Sequence, residues 1–225
     1  MRINKLLSNK GICSRKQAAL WIEAGRIQVN GEKCIPGQWV EAEDDIRIDQ
    51  RPIWQCEKIY LVLNKPEGIT CTAAEDVENN IINYLKYPEY IFPVGRLDKA
   101  SRGLILLTND GDLAHQILAA DNHHEKEYIV TVDKPFGEDF LLSLAKGVNI
   151  GKVTTRPCKV QCLGEDTFSI TLTQGLNRQI RKMTKHFGYT VTRLERVRIL
   201  NIKMENLPYG AWRVLTEAEI ASLKK

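Results

Sequence analysis

The stretch Pro93-Val94-Gly95-Arg96-Leu97-Asp98-Lys99-Ala100-Ser101-Arg102-Gly103-Leu104 decides how this chain is read. It sets one carboxylate, Asp98, between the bases Arg96 and Lys99, with Arg102 close behind and Gly95 and Gly103 bracketing the charged core. The apolar run Leu104-Ile105-Leu106-Leu107 follows, and Asn109-Asp110-Gly111 ends it. A short apolar run closed by Asn-Asp-Gly predicts a buried strand leaving a loop. Asp98 is therefore expected on a loop at the mouth of a core strand, a frequent mounting for catalytic groups. An Asp beside glycines is also a common turn or capping residue, and local chemistry alone does not separate the two.

Toward the amino terminus, residues 60–63 predict a strand that Asn64-Lys65-Pro66-Glu67-Gly68 should break, Pro66 fixing the loop and Gly68 letting it turn. Residues 81–85 predict a short helix. Toward the carboxyl terminus, residues 112–119 predict another helix. Residues 125–132 turn to β-branched types and predict a strand bearing Tyr128, on pattern alone a half-buried packing aromatic. A helix over 138–146, stopped by Gly147, and strands at Val160 and 168–172 follow.

Gln174-Gly175-Leu176-Asn177-Arg178-Gln179-Ile180-Arg181-Lys182-Met183 is the second informative stretch. Read as a helix over 177–187 with Gly188 as its stop, it puts Ile180, Met183 and Phe187 on one face at about 100° per residue. Arg178, Arg181, Lys182 and Lys185 fall opposite. The pattern fits a cation-presenting helix and an ordinary amphipathic one equally. Residues 191–199 alternate, with Val191, Arg193, Glu195 and Val197 facing one way and Thr192, Leu194, Arg196 and Arg198 the other. A strand half apolar on either face is expected to border a polar cleft. Thr216 to Glu219 has the form of a capping box opening a terminal helix.

The first fifty residues read as a separate unit. A short helix over 2–9 ends at Gly11. Ser14-Arg15-Lys16-Gln17 is a capping box opening a second helix, stopped by Gly25. Residues 27–29 form a strand, Asn30-Gly31 is a strong hairpin turn signal, and residues 46–48 form a further strand. Gln50-Arg51-Pro52 starts a linker, which sets the boundaries at 1–55 and 56–225.

The 225-residue length allows a small domain plus a larger one. No apolar run approaches a membrane span, and the amino terminus lacks an apolar signal core, so no export is expected. The six cysteines are scattered without a Cys-x-x-Cys pair and read as reduced thiols of a cytoplasmic protein. His123-His124-Glu125 lacks zinc-protease spacing, so no metal site is expected. The net charge is +4, but its distribution says more. Bases gather in the first stretch (Arg2, Lys5, Arg15, Lys16, Arg26) and again between residues 178 and 203, suggesting two contacts with a polyanion. Solvated helix faces would have the same composition.

Gly95-Arg96-Leu97-Asp98, continued through Gly103-Leu104-Ile105-Leu106-Leu107-Thr108-Asn109-Asp110-Gly111, resembles the catalytic motif of the RsuA-type pseudouridine synthases. The string from His124 to Pro135 is most similar to the RluF-type branch. The two basic helices with a Val-Asn-Gly hairpin resemble the S-four-type RNA-binding domain. The resemblance implies an α+β catalytic domain with a mixed, mainly antiparallel sheet and flanking helices, behind a small α/β RNA-binding domain. It implies an isomerase without cofactor, acting as a cytoplasmic monomer on ribosomal RNA. Transfer RNA is the alternative substrate, and a non-catalytic ribosome-assembly factor the alternative function.

Carried over residue by residue, Asp98 is the catalytic carboxylate, Tyr128 the active-site tyrosine, and Arg181, closing Gln179-Ile180-Arg181, the partner of Asp98. A carboxylate beside the anomeric carbon serves as nucleophile or charge stabiliser, and a close Arg holds it ionised. Tyr128 is expected to stack on the detached uracil, with its phenol a second candidate base. Arg96 is assigned to the gap left by the target or to a phosphate, against a structural ion pair. Lys99, Arg178, Lys182 and Lys185 complete the expected RNA contacts with the five bases of the first stretch. Ala100 departs from the acidic residue that relatives often carry there.

Overall fold

The structure, a computed structural model, describes residues 1–74, 76–119 and 123–224. The hairpin signal at Asn30-Gly31 behaves as its residue types require. Both take positive φ, 53° and 84°, and join β1 (Ile27–Val29) to β2 (Glu32–Lys33) with Val29 opposite Glu32. With β3 (Ile46–Ile48) and β4 (Arg51–Pro52) they form a four-stranded sheet in the order β2-β1-β3-β4. Two helices cover it, α1 (Ile3–Asn9) and α2 (Arg15–Glu23). Ser14 Oγ accepts from the Gln17 amide at 3.0 Å, the forward half of the expected capping box. Ile3, Leu7, Ala18, Ile22, Ile27, Val29 and Ile46 close the core, with Cys13 and Cys34 as small apolar members.

The larger unit begins with β5 (Tyr60–Lys65). The expected break at Asn64-Lys65 is wrong: both pair with the later strand Arg102–Thr108, opposite Leu104 and Gly103, and all six residues of β5 are buried. Backbone pairing carries the strand past the end of its apolar pattern. Lys65 is fully buried, and its ammonium donates to the carbonyls of Pro66 at 2.7 Å and Ile69 at 3.0 Å. Its charge thus tethers the loop that follows.

After α3 (Ile81–Leu85) come β6 (Phe92–Val94), β7 (Arg102–Thr108), α4 (Gly111–Leu118) and β8 (Lys126–Val132). Next are α5 (Glu138–Ala145), β9 (Lys159–Cys162), β10 (Thr167–Leu172), α6 (Gln179–His186) and β11 (Val191–Ile199). The chain ends with β12 (Ile202–Lys203), β13 (Trp212–Val214) and α7 (Glu217–Leu223). The sheet runs β13-β5-β7-β11-β8-β10-β9, with β6 also on β7 and β12 on β11. Among the described strand pairs only β7–β11 is parallel; the sheet is mixed and mainly antiparallel, as expected. Strand alternation turns Tyr60, Val62, Leu104 and Leu106 toward α4 and α7, and Leu61, Leu63, Ile105 and Leu107 toward α3. Asn9 of α1 donates to the Asp112 carboxylate of α4, and Asn109 holds the connecting segment through Ile59 N and Glu57 O.

Two further expectations fail for backbone reasons. Arg178 sits at φ 50°, in the left-handed region, so α6 starts at Gln179 rather than Asn177. The strict alternation of β11 is interrupted between Val191 and Arg193 and between Arg196 and Arg198. Between the two irregularities Leu194 and Arg196 keep the common face that alternation gives them, and both are buried.

Gly103 makes the parallel junction possible. A Cβ there would lie 2.3 Å from the Arg196 carbonyl oxygen, and φ is 103°. Gly103→Ala should cost about 2–5 kcal/mol from overpacking and backbone strain. Urea unfolding should show the loss as a lower midpoint with an unchanged slope; an unshifted midpoint would refute it.

Candidate active site

Asp98 lies on the loop between β6 and β7, where its backbone starts a turn, Ser101 N donating to Asp98 O at 2.9 Å. Buried Leu97 fixes the loop from below, its amide reaching Cys71 Sγ at 3.4 Å. Gly68 N donates to Lys99 O at 2.8 Å, so the loop after β5, tethered by Lys65, braces the Asp98 loop from the side. The carboxylate is left 30% exposed, and two guanidiniums face its Oδ2: Arg178 Nη1 at 3.6 Å and Arg181 Nε at 3.9 Å.

The two arginines differ in kind. Arg181 is 15% exposed and heavily tied: Nη1 donates to Val191 O at 3.0 Å, Nη2 to Ala100 O at 3.1 Å and to Ser101 Oγ at 3.4 Å. Its Nε is buried and, among the described residues, has no hydrogen-bond partner. Burial first, and the charge of Arg178 second, pull its pKa below the usual guanidinium value; Asp98 and Glu67 act the other way. It remains a cation at any physiological pH. It therefore does not present a solvated charge on an open helix face, as the helical wheel implied, but ties α6 to the Asp98 loop. Arg178 is 52% exposed, its guanidinium largely in solvent. Its left-handed backbone is set by the turn before α6, which Gln179 closes by accepting from Leu176 N at 3.1 Å.

Asp98, Tyr128, Arg96, Arg178 and Arg181 line one cavity of about 110 Å³, with Ser101, Leu172, Gln174, Ile180 and Leu194 among its walls. At ~30 Å³ per water this holds about four waters, the scale of a small ring. Tyr128 projects from β8 with one side packed against both neighbouring cores. Asp98 also borders an adjoining cavity of about 520 Å³ with Lys99, Arg96, Asn177 and Arg178. The three residues expected to be catalytic thus meet in one cleft across the sheet, joined by Arg96 and Arg178; Lys99 stands at its rim.

The other expected RNA contacts lie elsewhere. Lys182 and Lys185 are exposed on α6 outside the cleft, Lys182 Nζ reaching Asn177 Oδ1 at 3.3 Å. Arg2, Lys5, Arg15, Lys16 and Arg26 are all exposed on the small domain. Arg26 is already engaged, bonding Asp49 and stacking 4.9 Å over Trp21. Arg102, read as a third base near Asp98, pairs with Glu195 instead at 3.0 Å. Lys126, and Arg196 from the later basic cluster, are not among the expected site residues but stand beside Tyr128 on the floor of the sheet; Lys126 sits two residues before Tyr128 on one strand and so shares its face. Among the described residues no three His, Cys, Asp or Glu side chains gather to hold a metal, and no helix is long and apolar enough to cross a membrane.

A mixed sheet with one parallel pair at its centre and a cleft over that pair is the fold of a pseudouridine synthase. A solved structure of a pseudouridylate synthase superposes on the chain with a TM-score of 0.74 at 31% identity, covering 99% of each. Residues 59–186 match the family described as RNA pseudouridylate synthase, and residues 1–46 match the S4 domain. The chain belongs to the RNA pseudouridylate synthase family. It is 46% identical over 227 residues to the dual-specificity RNA pseudouridine synthase RluF of Salmonella typhi, spanning 100% of this chain and 78% of that one. It is 29% identical over 232 residues to the ribosomal large subunit pseudouridine synthase B of Bacillus subtilis (strain 168), spanning 99% and 95%.

Proposed function

We propose that this isomerase converts a specific uridine of large-subunit ribosomal RNA to pseudouridine, with Asp98 as its catalytic carboxylate. The observation that carries this is the Asp98 carboxylate facing Arg178 and Arg181 in a cleft shared with Tyr128. The bond from the ribose C1′ to uracil N1 breaks, the base turns, and C1′ bonds to C5. The C5 proton leaves, and N1 gains one, so no electron acceptor is needed. Asp98 meets the anomeric carbon as nucleophile or as counter-charge. Arg181 orients it, and Arg178 closes over the bound base. Tyr128 stacks on the uracil while it turns, which requires the uridine to leave its helix. Arg96 and Lys99 hold the backbone on either side.

The small domain and its linker, residues 1–55, grip RNA at a distance through Arg2, Lys5, Arg15 and Lys16, with Lys182 and Lys185 adding a second patch beside the cleft. Arg26 contributes least, because Asp49 already meets its charge. Two grips on one chain raise effective affinity. The enzyme works as a cytoplasmic monomer.

The test is tritium release from RNA carrying 5-tritiated uridine, with large-subunit ribosomal RNA and transfer RNA compared. Release from ribosomal RNA is expected; release from neither, with binding retained, would move the assignment to a binding factor. Transfer RNA stands as the alternative substrate for the same chemistry, and the comparison of the two RNAs decides between them. Binding should also weaken by on the order of 10³-fold between 50 and 200 mM salt if about six phosphates are contacted. A flat salt dependence in filter binding would rule out this electrostatic grip.

A further inference from the structure

Behind Tyr128 lies a second cavity of about 280 Å³, with Arg96, Gly175 and Leu176 in the wall it shares with the Asp98 cleft. At ~30 Å³ per water it has room for about nine waters, much more than one phosphate group needs. Its floor is cationic: Lys126 and Arg196 both line it. Among the described residues no Asp or Glu does. The carboxylates flanking Lys126 in sequence are engaged elsewhere, Glu125 by Lys159 and Arg198 and Glu127 by Arg198.

Lys126 and Arg196 are under-partnered. Arg196 is 3% exposed, donates through Nε to Leu104 O at 2.6 Å, and has a buried Nη2 with no partner among the described residues. Lys126 Nζ has one long contact, to His124 O at 3.3 Å. Burial, and then the charge of Arg196, lower its pKa from the ordinary lysine value. His124 Nε2, in the same wall, is also buried without a partner. An unmatched buried guanidinium is costly, and a phosphate satisfies it with two parallel bonds. Ile117 and Ile199 give the remaining wall an apolar character suited to a sugar and a base.

We propose that this cavity seats the nucleotide next to the target uridine on the same RNA strand, with its phosphate on Lys126 and Arg196. The proposal rests on the pseudouridine synthase reading of the adjoining cleft. The wall they share lets one strand place the uridine against Asp98 and its neighbour behind Tyr128. Lys126 and Arg196 are then substrate-positioning residues that set which strand direction enters.

The test is a coupling experiment on a short RNA stem-loop carrying the target uridine. The phosphate on each side of the uridine is replaced in turn by a neutral methylphosphonate. One replacement should weaken binding to the intact protein by about 10- to 100-fold. Lys126→Met, which keeps the stem and removes the charge, should lose a similar factor on natural RNA and no further factor on that modified RNA. Lys126→Arg should restore binding. Full binding by Lys126→Met, or losses that multiply independently, would overturn the proposal. Displacement of the modified and natural RNAs alike by free UMP would assign the cavity to a free nucleotide and overturn it as well. The readout is binding, so it decides the cavity even if the intact protein releases no tritium, a result that would count against the enzymatic reading alone.

Discussion

Asp98→Asn should reduce tritium release by about 10⁴-fold or more, the scale seen when the attacking group of an enzyme is removed. Asparagine keeps the shape and loses the charge. The side chain is partly exposed and makes ion pairs rather than core contacts, so the fold should survive with unchanged thermal unfolding. RNA binding gives the control with the opposite sign. Removing one negative charge from among Arg96, Lys99, Arg178 and Arg181 leaves more net positive charge in the cleft. Affinity for RNA should therefore stay level or rise slightly, and an inactive variant that binds well separates chemistry from docking. Near-normal release by Asp98→Asn would place the chemistry on another residue.

Arg181→Met should lower the single-turnover rate by about 10²- to 10³-fold, the usual cost of losing one preorganised charge partner. It should also cost about 1–3 kcal/mol in stability, because the Val191 and Ala100 carbonyls lose their donor. Arg181→Lys should fail to rescue the rate. One ammonium cannot hold two carbonyls on separate elements while facing Asp98. Arg178→Met is the matched comparison. Its guanidinium is closer to Asp98 but largely solvated, so its loss should cost about tenfold at most and little stability. Equal effects of the two variants would show that proximity to Asp98, rather than rigidity, is what matters.

The features legible in the sequence are those written in local chemistry. Asn30-Gly31 dictates a hairpin wherever it falls, and a carboxylate-bearing loop ahead of Leu104-Ile105-Leu106-Leu107 needs only neighbouring residues to be seen. Pairing Asp98 with Arg181 needed the family motif, since nothing local connects residues so far apart. What stayed hidden depends on contacts made by other strands. Lys65 reads as a strand end because a charge followed by proline normally is one; its burial depends on the carbonyls of Pro66 and Ile69 turning back over it. Arg196 reads as a cleft or surface cation because nothing in its own segment shows that a neighbouring strand covers it; it is buried, and its Nε donates to Leu104 O. The left-handed backbone at Arg178 has no signal in its own residue type, and it moves the start of α6.

The parallel pair β7–β11 has a consequence for how the enzyme is made. Asp98 and its brace belong to the first strands of the large domain, whereas Arg181 and β11 are translated much later, with 81 residues separating Ala100 from Arg181. At about 5–20 residues per second the nascent chain spends roughly 4–16 s with the carboxylate loop made and its partner not yet synthesised. The small domain, complete by then, emerges first and already carries its surface bases. A growing chain thus gains the means to hold RNA before it gains the means to alter it, and competence arrives when β11 slides in beside Gly103.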